Sequence, residues 1–238
     1  MRSAIDGTNA VIHLAAMTHV DACEVDSDRA WAVNAEGTRN VAEAARERNI
    51  PMVYLSTDYV FDGTKRGEYV EDDAPNPISV YGRTKLEGEA HVRSVPSGAV
   101  VRTSWVVGEG RNFVRTIVSA GRERHSVSVV DDQRGRPTFA DDLARAIVHI
   151  LEHEITGVVN VAGDEEPCTW ATLAELALRT AGLDTVVERV DTDTYAQTAN
   201  GVVAPRPKNS VLALGKARGL EIPLVNWRES LNKFIKIM

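Results

Sequence analysis

The segment SVYGRTKLEGE, residues 79 to 89, sets Tyr81 and Lys85 four positions apart. On a helix, residues at i and i+4 share a face, so an ammonium can lie beside a phenol. A free tyrosine ionises near pH ~10 and is a poor acid at neutrality. A neighbouring cation favours the phenolate and draws the group toward the working range. Such a pair can protonate a carbonyl oxygen while hydride reaches its carbon. The spacing alone is weak, because YxxxK arises often by chance and an exposed Tyr-Lys helix face is its commoner meaning. Upstream, YLSTDYVFDG (54 to 63) sets Ser56, Thr57 and Asp58 where a strand ends. In open α/β sheets, ligands bind outside the carboxyl ends of strands. A hydroxyl there can hydrogen-bond a reacting carbonyl and stabilise the charge developing on its oxygen. STD by itself fits a turn or a helix cap equally well. The two motifs in this order, joined by a loop, are more specific than either.

The elements that must position these residues are legible as alternating runs. NAVIHLAA (9 to 16) reads as a short strand buried on both faces, with His13 packed within it. Ala30, Val33, Val41, Ala44 and Ala45 recur at helical spacing between Ser27 and Arg48, with Ser27 as N-cap and Asn49 and Pro51 as the stop. MVYLST (52 to 57) and AVVRTSWVV (99 to 107) read as two further strands, flanking the helix that carries Tyr81. Strand-helix alternation without hairpin signals predicts an α/β fold, a parallel, doubly wound sheet. After Arg111 the texture changes: a helix near 112 to 122, the strand SVSVV, the loop DDQRGRPT and an amphipathic helix from Ala140 to His153. GVVNVAG (157 to 163) reads as a strand, Thr169 as the cap of another helix, and the stretch from Asp191 to Ser210 as a long polar excursion. The expected division is 1–110 for the first domain and 111–238 for a smaller lobe, with later segments crossing back to the first.

Composition narrows the function classes. The 238 residues carry 34 acidic and 27 basic side chains, a net charge of -7. A uniformly acidic surface repels phosphate backbones and anionic headgroups, which argues against nucleic acid and membrane as partners. No apolar run approaches the ~20 residues of a membrane span, and the N-terminus lacks the basic-apolar-small order of a signal peptide. The expected location is the cytoplasm. The two cysteines, Cys23 and Cys168, form no CxxC, so they read as buried packing residues rather than a disulfide framework or zinc site. HILEH (149 to 153) matches a zinc-peptidase pattern. Its helix, however, buries Leu143, Ile147, Ile150 and Leu151 and turns His149 and His153 the other way, near a C-terminus that favours positive charge. No metal site is assigned.

Taken together, VIHLAAMTHVDACE, STDYVFDG, PISVYGRTKLEGE, VRTSWVVG, DDQRGRPT and PRPKNSVL span nearly the whole chain. They resemble the extended short-chain dehydrogenases/reductases and, within them, the dTDP-4-dehydrorhamnose reductases. The resemblance implies a Rossmann-like domain, NADPH or NADH as cofactor and a dTDP-4-keto-6-deoxy sugar as substrate, in deoxysugar biosynthesis. It implies Tyr81 as proton donor, Lys85 as the group that tunes it and binds the cofactor ribose, and Thr57 as the hydroxyl on the substrate carbonyl. Asp58 and Trp105 look like contacts to the sugar nucleotide, and Ala15, Ala16 and Met17 like the cofactor side. Some members bind a magnesium ion at a subunit interface, and a homodimer is one partner state that stays open. The 4,6-dehydratases of the same superfamily carry an Asp-Glu pair where this chain has Asp58-Tyr59; a phenol cannot do a carboxylate's work in eliminating water, so reduction is expected.

The pattern departs from the family at its start. The Gly-rich turn that cradles a cofactor pyrophosphate does not precede AVIHLAA, and one βαβ unit of ~30 residues has no room there. Two explanations stay open: a sequence that begins at an internal methionine, Met1, or a shortened chain. The departure also keeps open a rival reading, a non-catalytic binding subunit similar to the regulatory subunit of methionine adenosyltransferase.

Overall fold

Runs of valine and its neighbours build a parallel sheet at the centre of the computed structural model, which describes residues 5–198 and 201–238. Met1 and residues 199–200 of the polar excursion lie outside the described residues. The first half runs β1 (Val11–His13), α1 (Val20–Val25), α2 (Ser27–Ala30), a π-helical turn (Trp31–Glu36), α3 (Gly37–Arg48), β2 (Met52–Thr57), α4 (Val80–Arg93) and β3 (Gly98–Thr103). It continues through β4 (Val106–Val107), α5 (Phe113–Glu123), β5 (Ser126–Val130), β6 (Arg134–Gly135), β7 (Thr138–Phe139) and α6 (Ala140–Glu152). The remainder is β8 (Gly157–Asn160), β9 (Cys168–Thr169), α7 (Trp170–Thr180), β10 (Val186–Val190), α8 (Thr192–Thr198), α9 (Gly215–Gly219) and α10 (Trp227–Lys236).

The main sheet has the order β1-β2-β3-β8, every pairing parallel, with Ser56 opposite Arg102 and Thr57 opposite Thr103. Helices cover both faces, the doubly wound arrangement expected of strands this apolar. On one face α3 and α4 pack Val41, Ala45 and Val92 against Met52, Tyr54 and Val100. On the other, α6 packs Leu143, Ile147 and Ile150 against Val53, Val101 and Val159. β8 pairs with β3 and forms the other edge of this sheet. A separate parallel pair, β5-β10, carries Ile117 of α5 and Leu178 of α7 over Val127 and Val129.

Three local expectations are corrected. The first strand is only Val11–His13 and is not buried on both faces: Ile12 is 45% and Leu14 54% exposed. β1 is an edge of the described sheet, and helix packing covers the His13 side alone. AVVRTSWVV is not one strand, because Trp105 takes the left-handed φ of +48° and separates β3 from β4. The N-cap before α2 is Asp26, whose carboxylate accepts from the Arg29 N–H, and Ser27 is already helical. At the far end of that helical run, Asn49 takes a left-handed φ of +53°, a common way to stop a helix.

The polar excursion contains α8 and then runs against α1 and the loop between β2 and α4. The Ala204 N–H and the Arg206 guanidinium both meet Asp21 Oδ1, at 2.9 and 2.8 Å. Asn209 Nδ2 donates to the Lys65 and Gly67 carbonyls of the β2–α4 loop, and Leu212 bridges to Tyr69. Both cysteines are buried as free thiols.

Candidate active site

A cleft of about 450 Å³ opens beyond the carboxyl ends of β2 and β3. Thr57, Asp58, Tyr81, Lys85 and Trp105 all line it, together with Ala16 from the segment after β1. Those residues come from four separate stretches of sequence, so their convergence is a product of the fold. Ala15 is exposed and Met17 half-buried, and neither lines the cleft. Met17 instead packs toward Cys23, Ala30 and Val80.

Thr57 ends β2 and starts a 3₁₀ turn over Asp58–Val60. Its hydroxyl accepts from the Tyr59 N–H at 3.2 Å and donates to Asp58 Oδ1 at 3.1 Å. Asp58 is 2% exposed and its Oδ2 meets no donor among the described residues. Burial therefore pushes its carboxyl up to about 7, against the opposing pull of the Ser210 and Thr57 hydroxyls and nearby backbone N–H groups. Tyr81 sits in the first turn of α4, whose start is fixed by the Ser79 hydroxyl accepting from the Gly82 N–H at 3.1 Å. Gly82 is required at that point, since a Cβ there would stand 2.2 Å from the Tyr59 carbonyl oxygen.

The Tyr81–Lys85 pair differs from its helical-wheel image. Burial raises the Tyr81 phenol above the ordinary tyrosine range; the Thr57 hydroxyl opposes the rise and the Asp58 charge adds to it. Lys85 Nζ is turned over the Tyr54 ring, 4.1 Å from its centroid, and Lys85 is 3% exposed. Desolvation lowers the Lys85 ammonium to about 7, with Glu89 pulling it back up. The expected lowering of the phenol by a neighbouring cation is not what governs it: desolvation does, and the phenol is held in its protonated form.

Several contributors gave no local signal. Asn34 in the π-helical turn is fully buried; its amide accepts from the Met17 N–H at 2.7 Å and donates to the Met17 carbonyl at 3.1 Å and to Thr84 at 3.0 Å. It ties the segment after β1 to α4. His13 Nε2 meets Thr38 Oγ1 at 3.0 Å, and burial followed by the Lys85 charge lowers its imidazole to about 4. The far wall of the cleft is aromatic: Trp105 stacks on Trp170 at 3.6 Å between centroids and 10° between planes, with Phe113 against Trp170. Trp170 Nε1 donates to Gln133 Oε1 at 3.2 Å. Tyr59 meets Tyr81 edge to face and is hydrogen-bonded by Arg206. His19 caps α1 through Nδ1.

The residues present fit a nicotinamide nucleotide at the near side of this cleft. The Lys85 ammonium makes no hydrogen bond among the described residues although it faces the cleft, and buried Thr103 Oγ1 is likewise without a partner. Leu14, Ala16 and Val20 supply an apolar strip beside these free polar groups. Among the described residues no group of three or more His, Cys, Asp or Glu side chains is arranged to hold a metal ion. His149 and His153 stack on each other at 3.9 Å, with His149 Nε2 turned to the Leu220 carbonyl. No described helix is long and apolar enough to cross a membrane.

Comparison with known proteins places the chain in a family. A family described as the RmlD substrate binding domain matches residues 3–238. A dTDP-4-dehydrorhamnose reductase from Sinorhizobium fredii is 37% identical over 239 residues, covering 94% of this chain and 79% of that protein. A dTDP-4-keto-6-deoxy-D-glucose reductase from Streptomyces niveus is 37% identical over 233 residues, covering 96% of this chain and 79% of that protein. The crystal structure of a dTDP-4-dehydrorhamnose reductase from Bacillus anthracis in complex with NADP superposes with a TM-score of 0.92 at 34% identity, covering 100% of this chain and 84% of that one. The chain belongs to the dTDP-4-dehydrorhamnose reductase family.

Proposed function

We propose that this family member is an oxidoreductase that reduces the C4 keto group of a dTDP-4-keto-6-deoxy sugar, with NADPH or NADH, in deoxysugar biosynthesis. The observation that carries this reading is the shared cleft of Thr57, Tyr81 and Lys85 at the carboxyl ends of the strands. A bound dihydronicotinamide supplies the hydride. Tyr81, kept protonated by burial, gives its proton to the carbonyl oxygen as negative charge develops there. Thr57 turns its one hydroxyl hydrogen from Asp58 Oδ1 to the same oxygen, and the bond it accepts from the Tyr59 N–H fixes its position beforehand. Lys85 offers its free N–H groups to the ribose hydroxyls and holds positive charge beside the phenol that loses its proton.

On the far side, the Trp105–Trp170 wall gives the sugar nucleotide a flat apolar surface, and Asp58 offers a carboxyl to sugar hydroxyls. Tyr59 supports reduction over dehydration, since it packs on Tyr81 and is bonded to Arg206, and carries no carboxylate for elimination. The division of labour proposed for the chain gives 1–110 to the cofactor and most of 111–238 to the sugar nucleotide. The test is to mix purified protein, NADPH and a dTDP-4-keto-6-deoxy sugar and follow absorbance of the reduced nicotinamide together with the sugar product. Stoichiometric formation of the 4-hydroxy sugar is expected. Binding of the sugar nucleotide with no turnover by either cofactor would overturn the reductase reading in favour of a binding subunit.

A further inference from the structure

Tyr81, Lys85 and Glu89 follow one another at intervals of four along α4, yet only the first two line the cleft. Glu89 is 1% exposed beneath them. Its Oε1 accepts from the Ser56 hydroxyl at 2.5 Å and from Arg102 Nε at 3.0 Å, and its Oε2 accepts from Arg102 Nη2 at 2.7 Å. Arg102, itself 2% exposed, also donates to the Glu71 carbonyl and lies over the Phe61 ring. Each partner adjoins the site. Ser56 directly precedes Thr57, Arg102 is the register partner of Ser56 on β3, and Glu89 is one helical turn beyond Lys85.

Such a trio is a poor device for stability alone. Removing both charges from water costs about as much as their attraction returns, and well-packed apolar residues of similar volume often do as well or better. A fixed negative charge one turn from Lys85 has a use that apolar residues cannot supply. We propose that Glu89 is a positioning residue for the Tyr81–Lys85 site: clamped by Arg102 and Ser56, it holds α4 in register with the end of β2 and favours the ammonium form of Lys85. This rests on the reductase reading for its purpose, though not for its measurement.

The groups that face Lys85 bear this out. From β1 comes His13, neutral at pH 7 because burial and Lys85 itself draw it down to about 4. From β2 comes Tyr54, whose phenol burial raises well above the ordinary range. From α4 come Tyr81, also held protonated, and Glu89; Arg102 of β3 lies behind Glu89. Asp58 lines the same cleft, with its carboxyl drawn up to about 7. Burial drives Lys85 toward the neutral amine, and the Glu89 carboxylate is the charge that opposes it.

The experiment is a ¹³C-lysine NMR titration of the purified protein, with the Lys85 resonance assigned through Lys85→Met. Two variants are compared with the parent: Glu89→Gln, and Glu89→Leu combined with Arg102→Leu, which leaves no buried charge unpaired. Both are expected to lower the Lys85 midpoint by about one pH unit or more, as loss of a close opposite charge should. The double variant is expected to melt near the parent while reducing ketosugar roughly tenfold more slowly at neutral pH, with the rate recovering toward acid pH as Lys85 regains its proton. An unchanged Lys85 midpoint in the folded double variant would overturn the proposal. So would collapse of that variant, which would make the trio a folding requirement and nothing more. Failure of the parent to reduce any ketosugar would remove the reductase reading but leave the Lys85 titration to be judged by itself.

Discussion

The two faces of the main sheet are built from alternate residues of the same strands and are chemically unlike. Toward α6, β2 and β3 present Val53, Val101 and their neighbours, and the packing against Leu143, Ile147 and Ile150 is aliphatic throughout. Toward α3 and α4, β2 presents Met52, Tyr54 and Ser56 in turn, and β3 passes from Val100 to Arg102. That face becomes polar within two pleats as it nears the cleft. The difference teaches how one small sheet holds both a fold and a site. The α6 face gains from burial alone, at about 25 cal/mol per Å² of apolar surface. The α4 face gives up part of that gain to hold ionisable groups at fixed points, and pairs Glu89 with Arg102 and Ser56.

If that division is correct, Tyr81→Phe should lower turnover by about 10²–10⁴-fold, the usual effect of losing a positioned proton donor. Its melting temperature should stay near that of the parent, since the ring remains. Steady-state reduction within a few-fold of the parent would end the assignment. On the opposite face, Ile150→Ala should do the converse. Ile150 is fully buried, so the cavity should cost about 2–5 kcal/mol in chemical denaturation. KM and kcat of the folded protein should be unchanged, and a turnover defect at full folding would break the contrast. Trp105→Ala should weaken sugar-nucleotide binding by about tenfold, the scale of a lost aromatic stack, and leave NADPH binding intact; calorimetry with each ligand separates the two.

The smallest expected effect concerns Asp58. Its folded-state carboxyl is raised to about 7 from an ordinary value of 3.8. The folded protein therefore binds this proton more tightly than the unfolded chain does. The stability it contributes is complete below pH ~4 and is lost as pH rises through 7. Asp58→Asn removes that dependence. The melting temperature of the variant relative to the parent should climb between pH 4 and 7 and level off above. A difference independent of pH would show that the carboxyl is not titrating in the cleft.

How much of this could be read beforehand depends on the range of the forces involved. MVYLST was legible as β2 to the residue, because a buried parallel strand is an unbroken apolar run. Thr57, Asp58, Tyr81, Lys85 and Trp105 were legible as a set through motif order and resemblance, and they do meet in one cleft. Local patterns failed where a distant partner decides the outcome. The π-helical turn that delivers Asn34 to Met17 has no composition of its own, and the left-handed Trp105 interrupts a run that reads as continuous strand. Arg102 lies inside an apolar strand, and its buried partner lies 13 residues upstream. One usable hint was present and unread: Glu89 continues the spacing of Tyr81 and Lys85 by one more turn.

The aromatic wall has a consequence for how substrate range can change. Trp105 holds a backbone conformation that bulky residues rarely adopt. Its indole fills the space above Gly135 so closely that a Cβ at that position would stand 2.5 Å from the ring. Trp170 stacks on the same indole, and Gln133 anchors Trp170 in turn. A directed-evolution campaign that mutates these sites singly would meet a dead end at each of them: a side chain at 135 collides, and a smaller residue at 105 keeps the backbone strain without the stack. Libraries that randomise 105, 135 and 170 together are the ones that can reshape this wall, whereas single changes will accumulate on the rim, where a replaced side chain has solvent to move into.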